Sequence, residues 1–342
     1  MASSDLVLLT GSTGHVGFRS LVTALKAGYR VRAAVRNPKS VKVDKIKASP
    51  EIAALNLAPD TLTFVTVPDF LAPGAFDAAA QGVKYIVHIA SPIPEGQATD
   101  GGFEKLFIEP AVRGTLAVLE AAEKAGTVEK IVVTSSVASI LPPSVLGGDD
   151  KSIYDANNRV ATPPGPFEDS FPAYVASKIA ALNEAEAWYK KHTPKFSLIH
   201  IHPGVILGPD ALVNDIDELL AGGTNPWLIG AATGSPEPRL AGTVHVNDVA
   251  KVHIDALQPQ IKGLQSFGAS ISTNWRELEG IVAKDFPEAV KNGTFKIHPD
   301  FQVKPINIDS SATEKAFGFK FITFEEQAKD VLQTYLTISS KA

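Results

Sequence analysis

The chain has 342 residues, 44% of them apolar, a net charge of −5 and no cysteine. Without cysteine there is no disulfide, no thiolate chemistry and no cysteine-ligated zinc or iron–sulfur centre, and no basic block supports nucleic-acid binding. The apolar share suffices for a sizeable core, expected as one large unit with a smaller lobe.

Short apolar runs alternate with helical patterns along the first two thirds of the chain. Strands are expected at 6–10, 30–35, 62–67, 85–89, 130–134 and 198–202, each rich in Val, Ile or Leu, as suits strands covered on both faces. Helical patterns fall at 16–26, 73–81, 109–124 and 173–191. This β-α-β-α order predicts an α/β fold, a doubly wound, mostly parallel Rossmann sheet with a smaller α/β substrate lobe. Residues 204–240 are rich in Gly and Pro with weak periodicity, 243–257 look regular, and amphipathic patterns return near 275–286 and 324–335. The expected division is 1–203 plus 242–262 for dinucleotide binding and 204–241 plus 263–342 for the smaller lobe.

The first strand runs into "TGSTGHVG", residues 10–17. Glycines at the turn between a strand and a helix N-terminus let a pyrophosphate approach backbone N–H groups that lack partners. Gly11, Gly14 and Gly17 are therefore expected to cradle a dinucleotide. The second strand ends in "AAVRNPKS". An NAD-selective site places an acid about there; this chain has Arg36, with Arg32 and Lys39 nearby, a set suited to a 2′-phosphate. NADP(H) is the expected cofactor. Asp69, in "VPDFL", either reaches the adenine or caps a turn.

Tyr174 and Lys178 lie one helical turn apart on a common face. A tyrosine is a weak acid at neutral pH, and an ammonium beside it favours the phenolate; Lys178 is thus expected to lower the pKa of Tyr174. The fifth strand delivers Ser135 and Ser136 to the carboxyl edge of the sheet, where a hydroxyl can hold a carbonyl oxygen. The eight histidines are scattered. His200 and His202 alternate on one apolar run without a carboxylate at ligand spacing, so no metal is expected.

"TGSTGHVG", "TSSVAS" and "YVASK" together resemble the extended short-chain dehydrogenases/reductases, closest to the group of dihydroflavonol 4-reductases and fungal methylglyoxal, aldehyde and ketone reductases. "VKYIVHIASP", "IHPGVILGP", "VHVNDVAKVHIDAL" and "ATEKAFGFKFITFEEQAKDVL" extend the likeness over nearly the whole chain. The resemblance implies NADPH-dependent reduction of a small ketone or aldehyde. Tyr174 would be the acid, Lys178 its helper and a ligand of the nicotinamide ribose, and Ser136 the carbonyl anchor, with Ser135 its rival. It further implies that Thr10, Gly11, Thr13, Gly14, His15, Val16 and Gly17 line the pyrophosphate loop. Arg36 would take the 2′-phosphate, Ala90 and Ser91 would flank ribose or nicotinamide, and Pro203, Gly204 and Val205 would face the carboxamide. Where relatives carry a second basic residue four after the arginine, this chain has Ser40 next to Lys39. A relay asparagine has no match in "IEPAVRGTL", and Val205 replaces an aromatic residue.

Expected pocket walls are Ile93, Val137, Leu141, Phe171 and Val205, with Trp227 either in the pocket or under a loop. His88 is expected as a packed core residue, Asp248 as a helix cap, and Trp188 and Tyr189 as packing. Two alternatives remain: an epimerase, dehydratase or steroid dehydrogenase on the same scaffold, for which Arg239 would be the best diphosphate ligand, or a non-catalytic nucleotide sensor. "MASSDLVLL" lacks a basic n-region, and no stretch reaches the ~18 apolar residues of a membrane span. A cytoplasmic protein with a small-molecule substrate and neither membrane nor nucleic-acid partner is expected, its oligomeric state open.

Overall fold

The computed structural model describes residues 5–91, 102–148, 150–298 and 301–341. Seven parallel strands form its central sheet: β1 (Leu6–Thr10), β2 (Arg30–Val35), β3 (Leu62–Thr66), β4 (Tyr85–His88), β5 (Lys130–Thr134), β6 (Ser197–Pro203) and β7 (Leu264–Ala269). Their spatial order is β7-β6-β5-β4-β1-β2-β3. The order reverses between β1 and β4, and a crevice opens at the carboxyl ends of these two strands, where doubly wound sheets take ligands.

Helices cover both faces. On one side α1 (His15–Lys26) packs against a helix near the end of the Rossmann unit, and Phe18, Leu21 and Leu25 bury against Val7, Leu9, Val249 and Val252. On the other side α2 (Glu109–Ala125) and α3 (Ser170–His192) bury Val118, Leu119, Ala185 and Trp188 against Leu8, Ile86, Ile131 and Leu198. α2 stops at Gly126, whose φ of 69° is the left-handed conformation that glycine adopts freely.

The segment 73–81, expected as a helix, is instead a chain of turns. Gly74 takes φ 68° just after Pro73, and successive bonds such as Asp77 N–H to Gly74 O (3.0 Å) close separate turns. Phe76, Ala79 and Ala80 still bury in the core, which explains the misleading apolar spacing. Arg32, expected near the cofactor, spends its guanidinium on the carbonyls of Ala79 (2.7 Å) and Gln81 (2.8 Å), bracing these turns.

The expected division also changes. β7 lies in the large sheet beside β6, whereas 263–342 had been allotted whole to the smaller lobe. Its first half, Leu264 to Ser266, is only half-buried at the sheet edge, so no long apolar run announces it. Conversely, Gly242–His245 leaves the dinucleotide unit and pairs with Val205–Leu207 and Ile271–Ser272 in a small three-stranded sheet. The loosely patterned 204–240 contains α4 (Asn225–Thr233), which packs with α6 (Phe324–Ser339), Trp275 and Leu278 in a separate core. Lys45, on the short helix Val41–Lys47, reaches Glu218 of Ile216–Ala221 at 2.7 Å and joins the two units over the glycine turn. Among the described residues, no helix is long and apolar enough to cross a membrane.

α5 (Val246–Asp255) is capped by His245, whose Nδ1 accepts from Asn247 N–H at 3.1 Å. Asp248, expected as that cap, instead accepts the N–H of Ile322 at 2.8 Å and so ties α5 to the start of α6. Burial pushes its carboxyl from 3.8 up to about 6, despite the pull of the Ile322 N–H. The folded chain therefore holds this proton more tightly than the unfolded chain. The stability it contributes is fully present below pH 3.8 and is lost as pH rises through about 6. Asp248→Asn removes the titration. The melting temperature of the variant, relative to the parent, is expected to climb between about pH 4 and pH 7 in calorimetry; a constant difference over that range would show that the group does not titrate there.

Candidate active site

β1 is followed by Gly11, φ 79°, where a Cβ would sit 2.8 Å from Ala90 N. Gly17, on the first turn of α1, is tighter still, with its absent Cβ position 1.8 Å from Gly11 O. Gly14 caps α1 without a side chain, its N–H donating to Gly11 O (3.0 Å). A helix N-terminus with free donors thus faces open space. A groove of about 860 Å³ runs from it, lined by Gly11, Thr13, Gly14, His15, Val16 and Gly17 on one side and Val35, Arg36, Asn37, Ser40 and Lys42 on the other, with Ala90 and Ser91 at its end.

Several expected residues lie elsewhere. Thr10 is buried; its hydroxyl accepts the N–H groups of Ile89 and Ala90, each at 3.1 Å, and donates to His88 Nδ1 at 2.9 Å. It braces the ends of β1 and β4 rather than lining the groove. Lys39 is exposed outside the groove wall; Ser40, which caps Val41–Lys47, and Lys42 stand there instead. Lys42 went unnoticed in the sequence because only the turn of that helix brings it round. Asp69 accepts the N–H of Leu71 at 2.9 Å, the capping option, and is not part of the groove wall. Pro203 and Gly204 sit at the joint of the two sheets, where a Cβ on Gly204 would come within 2.6 Å of Gly242 O. His15 lines the groove with its ring turned toward Gly208, Pro209 and Asp210; burial lowers its pKa, Asp210 opposing.

Beyond Ser91 the groove meets Lys178, whose Nζ donates to Ser91 Oγ at 3.0 Å. The same Nζ lies 5.5 Å from the centre of the Tyr174 ring. Phe171, 45% exposed, stacks on Tyr174 with centroids 6.5 Å apart. The two candidate serines differ. Ser135 Oγ pairs with Ser139 Oγ at 2.8 Å, whereas Ser136 Oγ accepts only the N–H of Ala138 at 3.1 Å, which leaves its own proton to give. Ser139, which the sequence did not single out, holds this turn by donating to Ser136 O at 2.6 Å, and His202 Nδ1 lies 3.0 Å from its hydroxyl. His88 is buried beside Lys178, and desolvation, reinforced by that charge, lowers its pKa to about 4. It therefore stays neutral, as expected of a packed histidine.

Of the expected pocket walls, Val137 and Leu141 are buried among Ile140, Val175 and Ile179, with Tyr174 packed against the cluster. Val205 belongs to the core of the smaller lobe, and Trp227 is half-buried against that core. Phe171 alone is both exposed and next to Tyr174. Ile93 lies outside the described residues.

A dinucleotide-type glycine turn leading to a Tyr–Lys pair at the switch point defines a Rossmann protein built for nicotinamide chemistry. Residues 7–265 match the NAD dependent epimerase/dehydratase family, and the chain belongs to it. Ketoreductase CTB6 of Cercospora nicotianae is 37% identical over 99% of this chain and 97% of its own length. The NAD-dependent epimerase/dehydratase ALT6 of Alternaria alternata is 34% identical over 95% and 96%. The fold is shared with yeast methylglyoxal/isovaleraldehyde reductase Gre2, solved with NADPH, at a TM-score of 0.76 and 23% identity over 98% of this chain and 100% of that one.

Proposed function

We propose that the protein is an NADPH-dependent carbonyl reductase acting on ketones or aldehydes. The observation that carries this reading is a groove that runs from Arg36 past the glycine turn to Ser91, where Lys178 bonds Ser91 and lies against the Tyr174 ring. Its walls fit the cofactor: two glycine positions admit no Cβ, and a free helix N-terminus meets a pyrophosphate. Arg36 and Lys42 stand where the 2′-phosphate would lie, with no acid among the groove residues to favour a ribose hydroxyl. When bound, the reduced nicotinamide supplies the hydride that turns the carbonyl carbon into an alcohol carbon.

In this reading the chain's own residues do the rest. Ser136 donates to the carbonyl oxygen and holds it toward the phenol. Tyr174 gives that oxygen its proton. The Lys178 ammonium, fixed by Ser91, stabilises the negative charge left on the phenol oxygen. Phe171 offers a flat apolar face beside Tyr174 for the substrate's side group. A nucleotide-sugar substrate is disfavoured because Arg239, the best diphosphate ligand in that lobe, is buried with its guanidinium on the carbonyls of Glu237 (2.7 Å) and Pro238 (3.2 Å).

The test is a panel of ketones and aldehydes with NADPH and NADH, on the parent and on Arg36→Ala. The parent should oxidise NADPH and prefer it to NADH. Arg36→Ala should raise KM for NADPH about 10-fold, as loss of one charge-assisted contact predicts, and leave KM for NADH nearly unchanged. Equal use of both cofactors by the parent, or tightly held NAD in purified protein, would favour an epimerase or dehydratase.

A further inference from the structure

The turn that follows β5 carries a closed set of hydrogen bonds around the backbone of Ser136. β5 and β6 stay paired up to this point, Ser135 N–H donating to Ile201 O at 2.7 Å. The next residue of β6, His202, therefore meets the turn Val137–Ser139. Ser139 and His202 are both fully buried. Ser139 Oγ lies 2.8 Å from Ser135 Oγ, 2.6 Å from Ser136 O and 3.0 Å from His202 Nδ1. His202 Nδ1 is also 3.2 Å from Ser136 O.

Counting protons leaves one arrangement. A carbonyl oxygen only accepts, so the single hydroxyl proton of Ser139 goes to Ser136 O, the shortest of these contacts. Ser139 Oγ then has only lone pairs for its other neighbours, and Ser135 must donate to it. His202 Nδ1 faces two oxygens, neither of which has a proton left to give it. The ring is neutral: burial holds its pKa well below the usual range, with His200 and Arg159 assisting and the Ser136 carbonyl opposing. Its one N–H therefore sits on Nδ1, shared between Ser139 Oγ and Ser136 O, and Nε2, buried without a partner, keeps a lone pair. Ser136 O also accepts the N–H of Ser139 at 3.0 Å.

We propose that Ser139 and His202 are positioning residues for Ser136. They hold its carbonyl in place and engage the hydroxyl proton of Ser135, so that of the two serines Ser136 is the one with a proton to offer a substrate oxygen. Its Oγ accepts from Ala138 N–H and donates to nothing in the chain. The pair thereby settles which of two adjacent, chemically identical side chains serves as carbonyl anchor. The kinetic consequence rests on the reductase reading; the bond directions do not.

Two measurements test it. Nitrogen-15 NMR of the wild-type protein with labelled histidine should find the His202 proton on Nδ1, the resonance being assigned by its loss in His202→Asn; a proton on Nε2 overturns the proposal. Ser139→Ala should lower kcat for ketone reduction about 10-fold or more, as a loosened reacting group does, with little change in KM for NADPH. Added to Ser136→Ala, the same substitution should cost scarcely anything further, because Ser139 acts through Ser136. An equal loss in both backgrounds, or no loss in either, overturns the proposal. His202→Leu should lower kcat as Ser139→Ala does, and His202→Asn, whose amide N–H can stand in for Nδ1–H, should restore most of it; packing alone would show no such rescue. Should a variant at 202 not fold, the wild-type tautomer and the serine comparison decide. Full activity in Tyr174→Phe would instead sink the proposed function and leave the tautomer of His202 untouched.

Discussion

Tyr174→Phe is expected to lower kcat for ketone reduction about 10³-fold, the cost typical of losing a positioned acid. NADPH should still bind with nearly the parent affinity, and the melting temperature should barely move. The reasons are local. The ring contacts of Tyr174, to Phe171 and to Lys178 Nζ, involve its carbon face and survive removal of the oxygen. Lys178 keeps its bond to Ser91, so the cofactor end of the groove stays intact. Only the proton donor disappears. Stopped-flow NADPH binding and steady-state turnover on the same preparation separate these effects. A variant that keeps more than about a tenth of the parent kcat would show that another group supplies the proton. Ser136→Ala would then be the next comparison, since its hydroxyl is the other free donor at the edge of β5.

The parts of the fold legible in the sequence are those set by local pattern. β1, β2 and β5 have the residue limits expected, because each is a short and mostly buried run rich in apolar residues, with the arginines of β2 at its outer end. The glycine turn was equally legible, since its spacing follows from close contacts between neighbours in the chain. What escaped depends on remote partners. β7 is strand-like only because β6 offers it an edge, and Gly242–His245 leaves the main sheet because Val205–Leu207 pairs with it. Segment 73–81 has helical apolar spacing, but Gly74 in the left-handed region divides it into turns. In the site, Tyr174, Lys178 and Ser91 stood out as motif residues, whereas Ser139 and Lys42 are brought there only by the turn of the backbone. Thr10 was misplaced for the same reason: its hydroxyl faces inward to His88 and the end of β4 rather than to the groove.

The three glycines of the turn are not equivalent, and Gly17→Ala is expected to be the most damaging small substitution in the cofactor groove. A methyl group there would lie 1.8 Å from Gly11 O and 2.4 Å from Gly11 C, both backbone atoms that no rotamer change can move. Either α1 withdraws from β1 or the turn shifts, and each separates the helix N-terminus from the place a pyrophosphate would occupy. Overpacking of this kind costs about 1–3 kcal/mol or more, equivalent to roughly 5- to 150-fold in binding. NADPH affinity should fall within or beyond that range, accompanied by a lower melting temperature. Gly14→Ala meets only Gly11 O at 3.6 Å, an ordinary contact, and should be far milder in the fold. Gly280→Ala is the control: it is exposed on the helix Glu277–Asp285 with nothing near its Cβ position, so the change should stabilise by up to about 1 kcal/mol through helix propensity. Calorimetry and NADPH titration on the three variants give the expected order. If Gly17→Ala matched Gly280→Ala in both measurements, the close approach of α1 to the end of β1 would be wrong, and with it the cradle on which cofactor binding depends.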